Sequence, residues 1–273
     1  MRLCMEDEGQ WRGFNSTGSS RTRPGKTYRG GKPVIYLFPP STLSDATVSV
    51  SLVPQWNFTH IYPLTETKAL DHGGQQVSWS VSAKLDGTLV ERGTGLELSY
   101  LFWEAITNHA VPPSPPSSPP PSLDQNDLRA GEHFDPAYPS LTPDSPTAVI
   151  LPFGELPPYL DPALEALSLH TAARNDFITY WLPALSKKPY VALRFLPQRA
   201  YERAAALDVT PSPDIVTRVF MLFRGVAAEE ANLWAAASER VGKVDWVGTV
   251  GVRPGAWDAS VFRVLEWGAM EVL

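Results

Sequence analysis

The chain has 273 residues and a formal net charge of −6 at pH 7, and 43% of its residues are hydrophobic. This apolar content excludes a wholly disordered protein, the 19% of charged residues argues against a long coiled coil, and the single cysteine excludes a disulfide framework or a cysteine-rich zinc site. The sequence predicts a cytoplasmic protein, since no apolar run approaches the roughly 18 residues that cross a bilayer and acids stand near Met1 where a signal peptide is apolar. A longer gene product with a signal peptide would instead be extracellular.

Composition divides the chain into four parts. Residues 1–31 are polar and basic, and they predict a disordered tail. Residues 32–107 predict a β-rich half, and residues 149–273 predict an α+β half that shares its core. Between them, residues 108–148 predict a Pro/Ser-rich linker or insertion that favours extended polyproline conformations, because residues 112–122 are all Pro or Ser. Such a segment is either a spacer or a docking site for an SH3- or WW-type partner.

The first half predicts strands. Residues 34–38 form a short apolar run between prolines, and residues 47–53, 77–83 and 96–103 alternate apolar and polar side chains, as half-buried strands do. Asp86-Gly87 predicts a hairpin turn, because both residues tolerate positive φ. Short strands with tight turns favour an antiparallel sandwich.

The second half mixes element types. Asp161-Pro162 predicts the start of a helix, and Thr171 predicts the cap of a second helix over residues 172–186, which Pro183 should kink or end. Strands are predicted at residues 191–196, 207–210, 215–223 and 261–267, with 215–223 central because its apolar side chains occupy both faces. A further helix is predicted at residues 229–240. The order of elements favours a β-rich α+β fold whose sandwich-like first half packs against the second.

The common catalytic motifs are missing. Pro24-Gly25-Lys26-Thr27 ends like a phosphate-binding loop but lacks its first glycine, since position 20 is Ser. No two of the five histidines have the i, i+4 spacing of a helical metal site, and no Gly-x-Ser-x-Gly motif occurs. The sequence therefore predicts no metal and no cofactor. The acidic balance of the chain argues against nucleic acid as the main ligand, although the basic tail has the charge to touch it.

Two aromatic–acid pairs, Trp103-Glu104 and Glu266-Trp267, end predicted strands. Strand parity places Glu104 with Tyr100 and Phe102, and Glu266 with Phe262 and Val264. Apolar neighbours raise the pKa of a carboxyl group, as a general acid requires. The alternative is that each glutamate pairs with a buried arginine, for which Arg194, Arg218 and Arg263 are available.

Three functions follow from these residues. The leading hypothesis is a non-catalytic binding or interaction module for a carbohydrate or cell-surface glycan, since aromatic faces stack on sugar rings and acids accept hydroxyl hydrogen bonds. Its candidate ligand-binding residues are Trp103, Tyr180, Trp181, Asn175, Arg218 and Trp267. The first alternative is a glycosidase-like hydrolase with Glu104 and Glu266 as its paired catalytic carboxylates. The second is a structural protein that presents the Pro-rich segment to a protein partner.

Five short sequence motifs follow one another along the chain: KPVIYLFP at 32–39, SYLFWE at 99–104, NDFITYWLP at 175–183, RVFMLF at 218–223 and VLEWG at 264–268. Together they resemble a bacterial family, with fungal relatives, that opens on KPVIYLYPE and closes on VEWGG and that we associate with envelope-type or secreted proteins. The chain departs from this pattern at Phe38, Pro40, Ala105 and Ala269. The resemblance supports domain limits at about 32–107 and 160–268, and it implies no particular chemistry.

Overall fold

The structure is a computed structural model that describes residues 26–71, 73–110 and 134–273. Most of the predicted tail, His72 and the Pro/Ser run at 112–122 lie outside the described residues. The predicted β-rich α+β fold is confirmed: two sheets pack face to face, and helices cover the outer side of one of them.

The described residues contain thirteen strands and five α-helices. The strands are β1 (Arg29–Phe38), β2 (Leu43–Leu52), β3 (Trp56–Tyr62), β4 (Lys68–Ala69), β5 (Gln75–Ala83), β6 (Leu89–Glu91), β7 (Glu97–Leu98), β8 (Leu101–Thr107), β9 (Val149–Pro152), β10 (Tyr190–Phe195), β11 (Ala205–Thr210), β12 (Ile215–Val226) and β13 (Arg263–Glu271). The helices are α1 (Leu156–Ala166), α2 (Thr171–Leu185), α3 (Gln198–Ala204), α4 (Ala235–Glu239) and α5 (Trp246–Val250). Short 3-10 helices span Phe153–Glu155 and Ala228–Trp234.

Each sheet combines strands from both halves of the chain. The larger sheet has the order β3-β8-β1-β13-β12-β10-β9, and the smaller one has the order β11-β2-β5-β6-β7 with β4 also on β5. The β12–β13 pair is parallel, whereas the other recorded pairs are antiparallel. β1 lies between β8 and β13, and Lys26 Nζ donates a hydrogen bond of 2.6 Å to the Leu273 carbonyl. The first and last described residues are therefore neighbours.

The larger sheet separates two apolar cores. Ile35 and Leu37 of β1 face the smaller sheet, while Val34 and Tyr36 face the helices, because successive side chains alternate across a strand. β12 follows the same rule and is buried on both faces, which confirms that it is a central strand. α1, α2 and α5 contribute buried residues to the core on the helix side.

The helix boundaries differ from the predictions. α1 begins at Leu156, with prolines in its first turn, and Asp161 lies inside it and accepts a 2.9 Å hydrogen bond from Arg174 Nε. The cap of α2 is His170 and not Thr171, and Pro183 lies two residues before the helix ends. The helix predicted at 229–240 is a 3-10 segment followed by α4.

The predicted strand at 96–103 is two strands in different sheets. β7 belongs to the smaller sheet and β8 to the larger one, and the chain crosses between them at Ser99 and Tyr100. The alternation of apolar and polar residues does not reveal this crossing, because the same alternation continues in the strand before it and in the strand after it. Strands β3, β4, β6 and β9 and helices α3 and α5 have no counterpart among the predicted elements. The crossing at Ser99 and Tyr100 positions the candidate site.

Candidate functional site

Two contiguous cavities open where the smaller sheet meets the N-terminal half of α2. The helix-end cavity has a volume of about 350 Å³ and lies beside Tyr36, Phe38, Asp86, His170 and Asp176. The strand-edge cavity has a volume of about 570 Å³ and lies beside Lys32, Tyr62, Phe102 and Tyr180. Ser99 and Tyr100 line both cavities. We call the combined surface the aromatic groove, after its aromatic lining by Tyr36, Phe38, Tyr62, Tyr100, Phe102 and Tyr180.

A β-bulge in β1 places Lys32 in this groove. Between Gly31 and Val34 the strand advances three residues while β13 advances two, from Ala269 to Trp267. The extra residue is absorbed at Lys32, whose φ of 48° lies in the left-handed region that non-glycine residues rarely adopt. Backbone strain of this kind concentrates at functional sites. The bulge therefore marks the groove independently of its shape.

The ammonium group of Lys32 lies among aromatic rings. Its Nζ is 5.1 Å from the ring centroid of Tyr180, 5.6 Å from that of Trp267 and 4.0 Å from Oδ2 of Asp176. The Lys32 side chain is only 17% exposed. Cation–π contacts and the Asp176 carboxylate thus hold the Lys32 side chain in the strand-edge cavity.

Glu104 lies on the helix side of the larger sheet. Tyr180 Oη donates a 2.8 Å hydrogen bond to its Oε1, the backbone N–H of Lys32 donates one of 3.2 Å, and Arg29 pairs with Oε2. His60 Nδ1 is 3.3 Å from Oε2. The Glu104 side chain is 3% exposed, so these contacts occupy a carboxylate that water hardly reaches.

Several groove tyrosines hold their protons firmly. Burial, with the neighbouring Glu104 carboxylate adding to it, raises the pKa of Tyr180 to about 12. Burial raises the pKa of Tyr36 and Tyr100 as well, and the Asp176 carboxylate adds to both shifts. These phenols therefore act as hydrogen-bond donors at neutral pH.

His170 links the groove to α2. Its Nδ1 accepts a 3.3 Å hydrogen bond from the backbone N–H of Ala173, so Nε2 carries the proton of the neutral ring. Nε2 is buried without a hydrogen-bond partner in the described part of the chain, and the ring meets Tyr36 and Phe38 edge-on at 5.0 and 5.6 Å. Burial lowers the pKa of His170, which favours the neutral ring.

Glu266 lies on the opposite face of the larger sheet, inside the core between the sheets. It pairs with Arg218 Nε and accepts hydrogen bonds of 3.0 Å from Trp103 Nε1 and 3.4 Å from Tyr201 Oη. Glu266 and Arg218 are both fully buried. The alternative prediction of a buried arginine is thus confirmed for Glu266, whereas the arginine that pairs with Glu104 is Arg29.

These positions correct the paired-carboxylate hypothesis. Strand parity predicted the neighbours of each glutamate, but the two strands present Glu104 and Glu266 to different cores. A β-sheet separates the two carboxylates, and Glu266 is sealed from solvent. They share no cleft in which one sugar ring could contact both.

The six candidate ligand-binding residues are also separated. Trp103, Arg218 and Trp267 are fully buried, and Trp181 is 8% exposed, so none of them presents a ring face or a guanidinium to a ligand. Asn175 is exposed on α2 outside the groove lining. Tyr180 remains in the candidate site. The tryptophans were predicted to bind a ligand because they are large aromatic residues next to acids, but residues of this type are also common in a hydrophobic core.

Sequence reasoning missed most of the residues that do line the groove. The sequence predicts a buried strand at 34–38, which contains Tyr36 and Phe38, and it places Lys32 at the start of the β-rich half. The available signal was the parity of β8, which placed Tyr100 and Phe102 on the face of Glu104. Which element covers that face is decided by the tertiary fold.

Comparisons with models of protein families, with curated proteins and with solved structures give no match for this chain. Within residues 26–71, 73–110 and 134–273, no three histidine, cysteine or acidic side chains group as a metal site. None of the helices in these ranges has the length and apolar character to cross a bilayer. The case for a function therefore depends on the groove itself.

Proposed function

We propose that the protein binds a carbohydrate in the aromatic groove without transforming it. The single observation that carries this proposal is the lining of the groove, in which six aromatic side chains stand beside polar groups along two contiguous cavities. Apolar ring faces suit the C–H faces of a sugar, while carboxylates and protonated phenols suit its hydroxyl groups.

The dimensions of the groove favour an oligosaccharide over a single sugar. Each cavity falls in the size range of small-molecule sites, and the shared Ser99 and Tyr100 make them adjacent subsites. Tyr62 is 47% exposed at the edge strand β3 and Tyr180 is 38% exposed on α2, so aromatic faces remain accessible along the groove. A chain of linked sugars would contact both cavities.

A binding role is favoured over hydrolysis by the state of the carboxylates. Glu104 is occupied by Arg29, Tyr180 and the Lys32 backbone, and Glu266 is enclosed in the other core. The prediction of a docking site in the Pro/Ser run concerns residues that the structure does not describe. Neither alternative is supported by a specific contact.

Calorimetric titration of the full chain with a panel of neutral and charged oligosaccharides tests the proposal. We expect Tyr62→Ala and Tyr100→Ala each to weaken binding about tenfold, because each removes one stacking surface. Tyr138→Ala is the matched control, since Tyr138 is 60% exposed and lies outside the groove lining. Failure of every oligosaccharide to bind, or equal losses in all three variants, would overturn the proposal.

A further inference from the structure

The helix-end cavity has an acidic lining. Asp86 and Asp176 are its two carboxylates, and burial lowers the pKa of the His170 imidazole in the same lining, which favours its neutral form. Hydrogen bonds from Thr88 lower the pKa of Asp86 and keep it ionised. Asp176 lies 4.0 Å from Lys32 Nζ, and the Lys84 ammonium also lowers the pKa of Asp86, but neither lysine lines the cavity, so the lining itself carries two negative charges.

Two basic side chains lie close to the cavity without lining it, and one of them already pairs with a cavity carboxylate. Lys32 lies over Tyr180 and Trp267 in the strand-edge cavity and is 4.0 Å from Asp176. The guanidinium of Arg263 lies 5.3 Å from the Phe38 ring centroid and donates to the Ala256 carbonyl. Neither side chain lines the helix-end cavity.

The walls of the cavity suit a cation as well. Tyr36 and Tyr100 meet edge-on with centroids 5.3 Å apart, and Phe38 stacks beside Tyr36 at 5.9 Å. Aromatic rings with carboxylates at their rim attract ammonium groups through the ring quadrupole and through direct charge pairing. Phe38 and Tyr100, which are half-buried whereas Tyr36 is buried, leave ring surface for the apolar face of the sugar that carries the ammonium.

The turn between β5 and β6 fixes Asp86 at this rim. Gly87 has a φ of +87°, and a Cβ there would lie 2.8 Å from the Phe38 ring. Glycine therefore lets the turn pack directly on an aromatic wall of the cavity, which places the preceding carboxylate at its edge.

We propose that the helix-end cavity is a subsite for the ammonium group of an amino sugar, so that the groove selects glycans with free amines over N-acetylated or neutral ones. This inference rests on the proposed carbohydrate binding. An N-acetyl group removes the positive charge, and it leaves Asp86 and Asp176 facing a neutral amide.

The test compares three β-1,4-linked hexamers of equal length, made of glucosamine, N-acetylglucosamine or glucose, by calorimetry with the full chain at low ionic strength. We expect the glucosamine hexamer to bind about tenfold more tightly than the other two, which corresponds to about 1.4 kcal/mol. Asp86→Asn and Asp176→Asn should each reduce this preference about fivefold, the effect of one partly exposed ion pair. Asp208→Asn, an exposed carboxylate on β11 in the smaller sheet, is the matched control and should change nothing.

The outcomes separate the two proposals. If the three hexamers bind with equal affinity and Tyr62→Ala and Tyr100→Ala weaken that binding, the amino-sugar subsite is overturned. Carbohydrate binding in the groove is then still supported. A glucosamine preference that survives both aspartate substitutions also overturns the subsite. Binding of none of the hexamers or other oligosaccharides overturns the proposed function, and the subsite with it.

Discussion

The Arg218–Glu266 pair stands out because both side chains are fully buried between the sheets. Arg218 also pairs with Glu202 and donates to the Ala205 carbonyl at 2.5 Å, while its Nη2 has no hydrogen-bond partner in the described structure. Taking a charge pair out of water costs several kcal/mol, and only good geometry and further hydrogen bonds offset this cost. The paired charges and hydrogen bonds of this network therefore offset the cost of burying Arg218 and Glu266 in the core.

We expect Glu266→Gln to lower the free energy of unfolding by about 3–5 kcal/mol, because it leaves the buried Arg218 charge incompletely compensated. Urea unfolding followed by tryptophan fluorescence measures this change. Glu202→Gln is the control and should cost less, since Glu202 is 42% exposed. A loss below about 1 kcal/mol for Glu266→Gln would show that Glu202 and the backbone compensate Arg218 alone.

Buried tyrosines predict a loss of stability in alkali. Tyrosine ionises near pH 10 in an unfolded chain, whereas the folded protein holds the pKa of Tyr180 at about 12. Through that interval the unfolded state binds fewer protons, so the free energy of unfolding falls as pH rises. The pKa values of Tyr36, Tyr100, Tyr159 and Tyr201 are raised as well and act in the same direction.

Urea midpoints measured from about pH 8 to about pH 11 should therefore decrease, with most of the change above the ordinary tyrosine pKa. Tyr180→Phe should flatten the decrease, and Tyr138→Phe, at an exposed tyrosine, should leave it as it is. Midpoints that stay constant across this range would contradict the expectation.

At the scale of the elements, the bulge in β1 and the helix α2 depend on each other. A Cβ on Gly31 would lie 2.6 Å from the ring of Trp181, so glycine at this position lets α2 approach the strand. The same approach brings Tyr180 to Glu104 and under Lys32. The geometry of the groove thus depends on one close contact between a strand and a helix.

Gly31→Ala should lower the free energy of unfolding by about 1–3 kcal/mol, because Trp181 or α2 must shift to make room. It should also weaken ligand binding in the groove. Gly154→Ala is the matched control, since a Cβ there meets nothing within 4 Å. Equal stability of the two variants in urea unfolding would show that Trp181 adapts without cost.

The sequence predicted regular strands well and junctions poorly. The period-2 alternation of β2 and β5 and the two-sided apolar run of β12 are local patterns, and the structure confirms all three. The predicted start of α1 at Asp161-Pro162 was wrong. Asp161-Pro162 has the residues of a helix start, but Pro157 and Pro158 have the same property and lie in the first turn of the observed helix. Local chemistry alone cannot rank two such starts.

The candidate site was predicted only in part for a similar reason. Parity gave the face of Glu104 and the face of Glu266 correctly. Whether Glu104 and Glu266 lie on the same side of the sheet depends on how β8 and β13 each pair with β1, the strand between them. No local sequence pattern encodes that pairing. The bulge at Lys32 has the same origin, because it is a mismatch between two strands rather than a property of one.

At the scale of the molecule, neither half of the chain has a sheet of its own. β1 needs β13 and β2 needs β11, so each half alone would expose unpaired edges and apolar faces. We expect fragments 26–110 and 134–273 to be unfolded or aggregated when separate and to form a folded complex when coexpressed. Circular dichroism and gel filtration measure both states, and cooperative unfolding of either fragment alone would contradict the expectation.

The hydrogen bond from Lys26 to Leu273 has a consequence for connectivity. A short peptide joining these neighbours would turn the described fold into a ring, and reopening it after Ala110, beyond the end of β8 at Thr107, would leave every described strand intact. Such a circular permutant would retain every described strand pair and both cavities, because Ala110 follows the end of β8 that is remote from the Ser99–Tyr100 crossing. Labels or surfaces attached there would leave the groove accessible to long oligosaccharides.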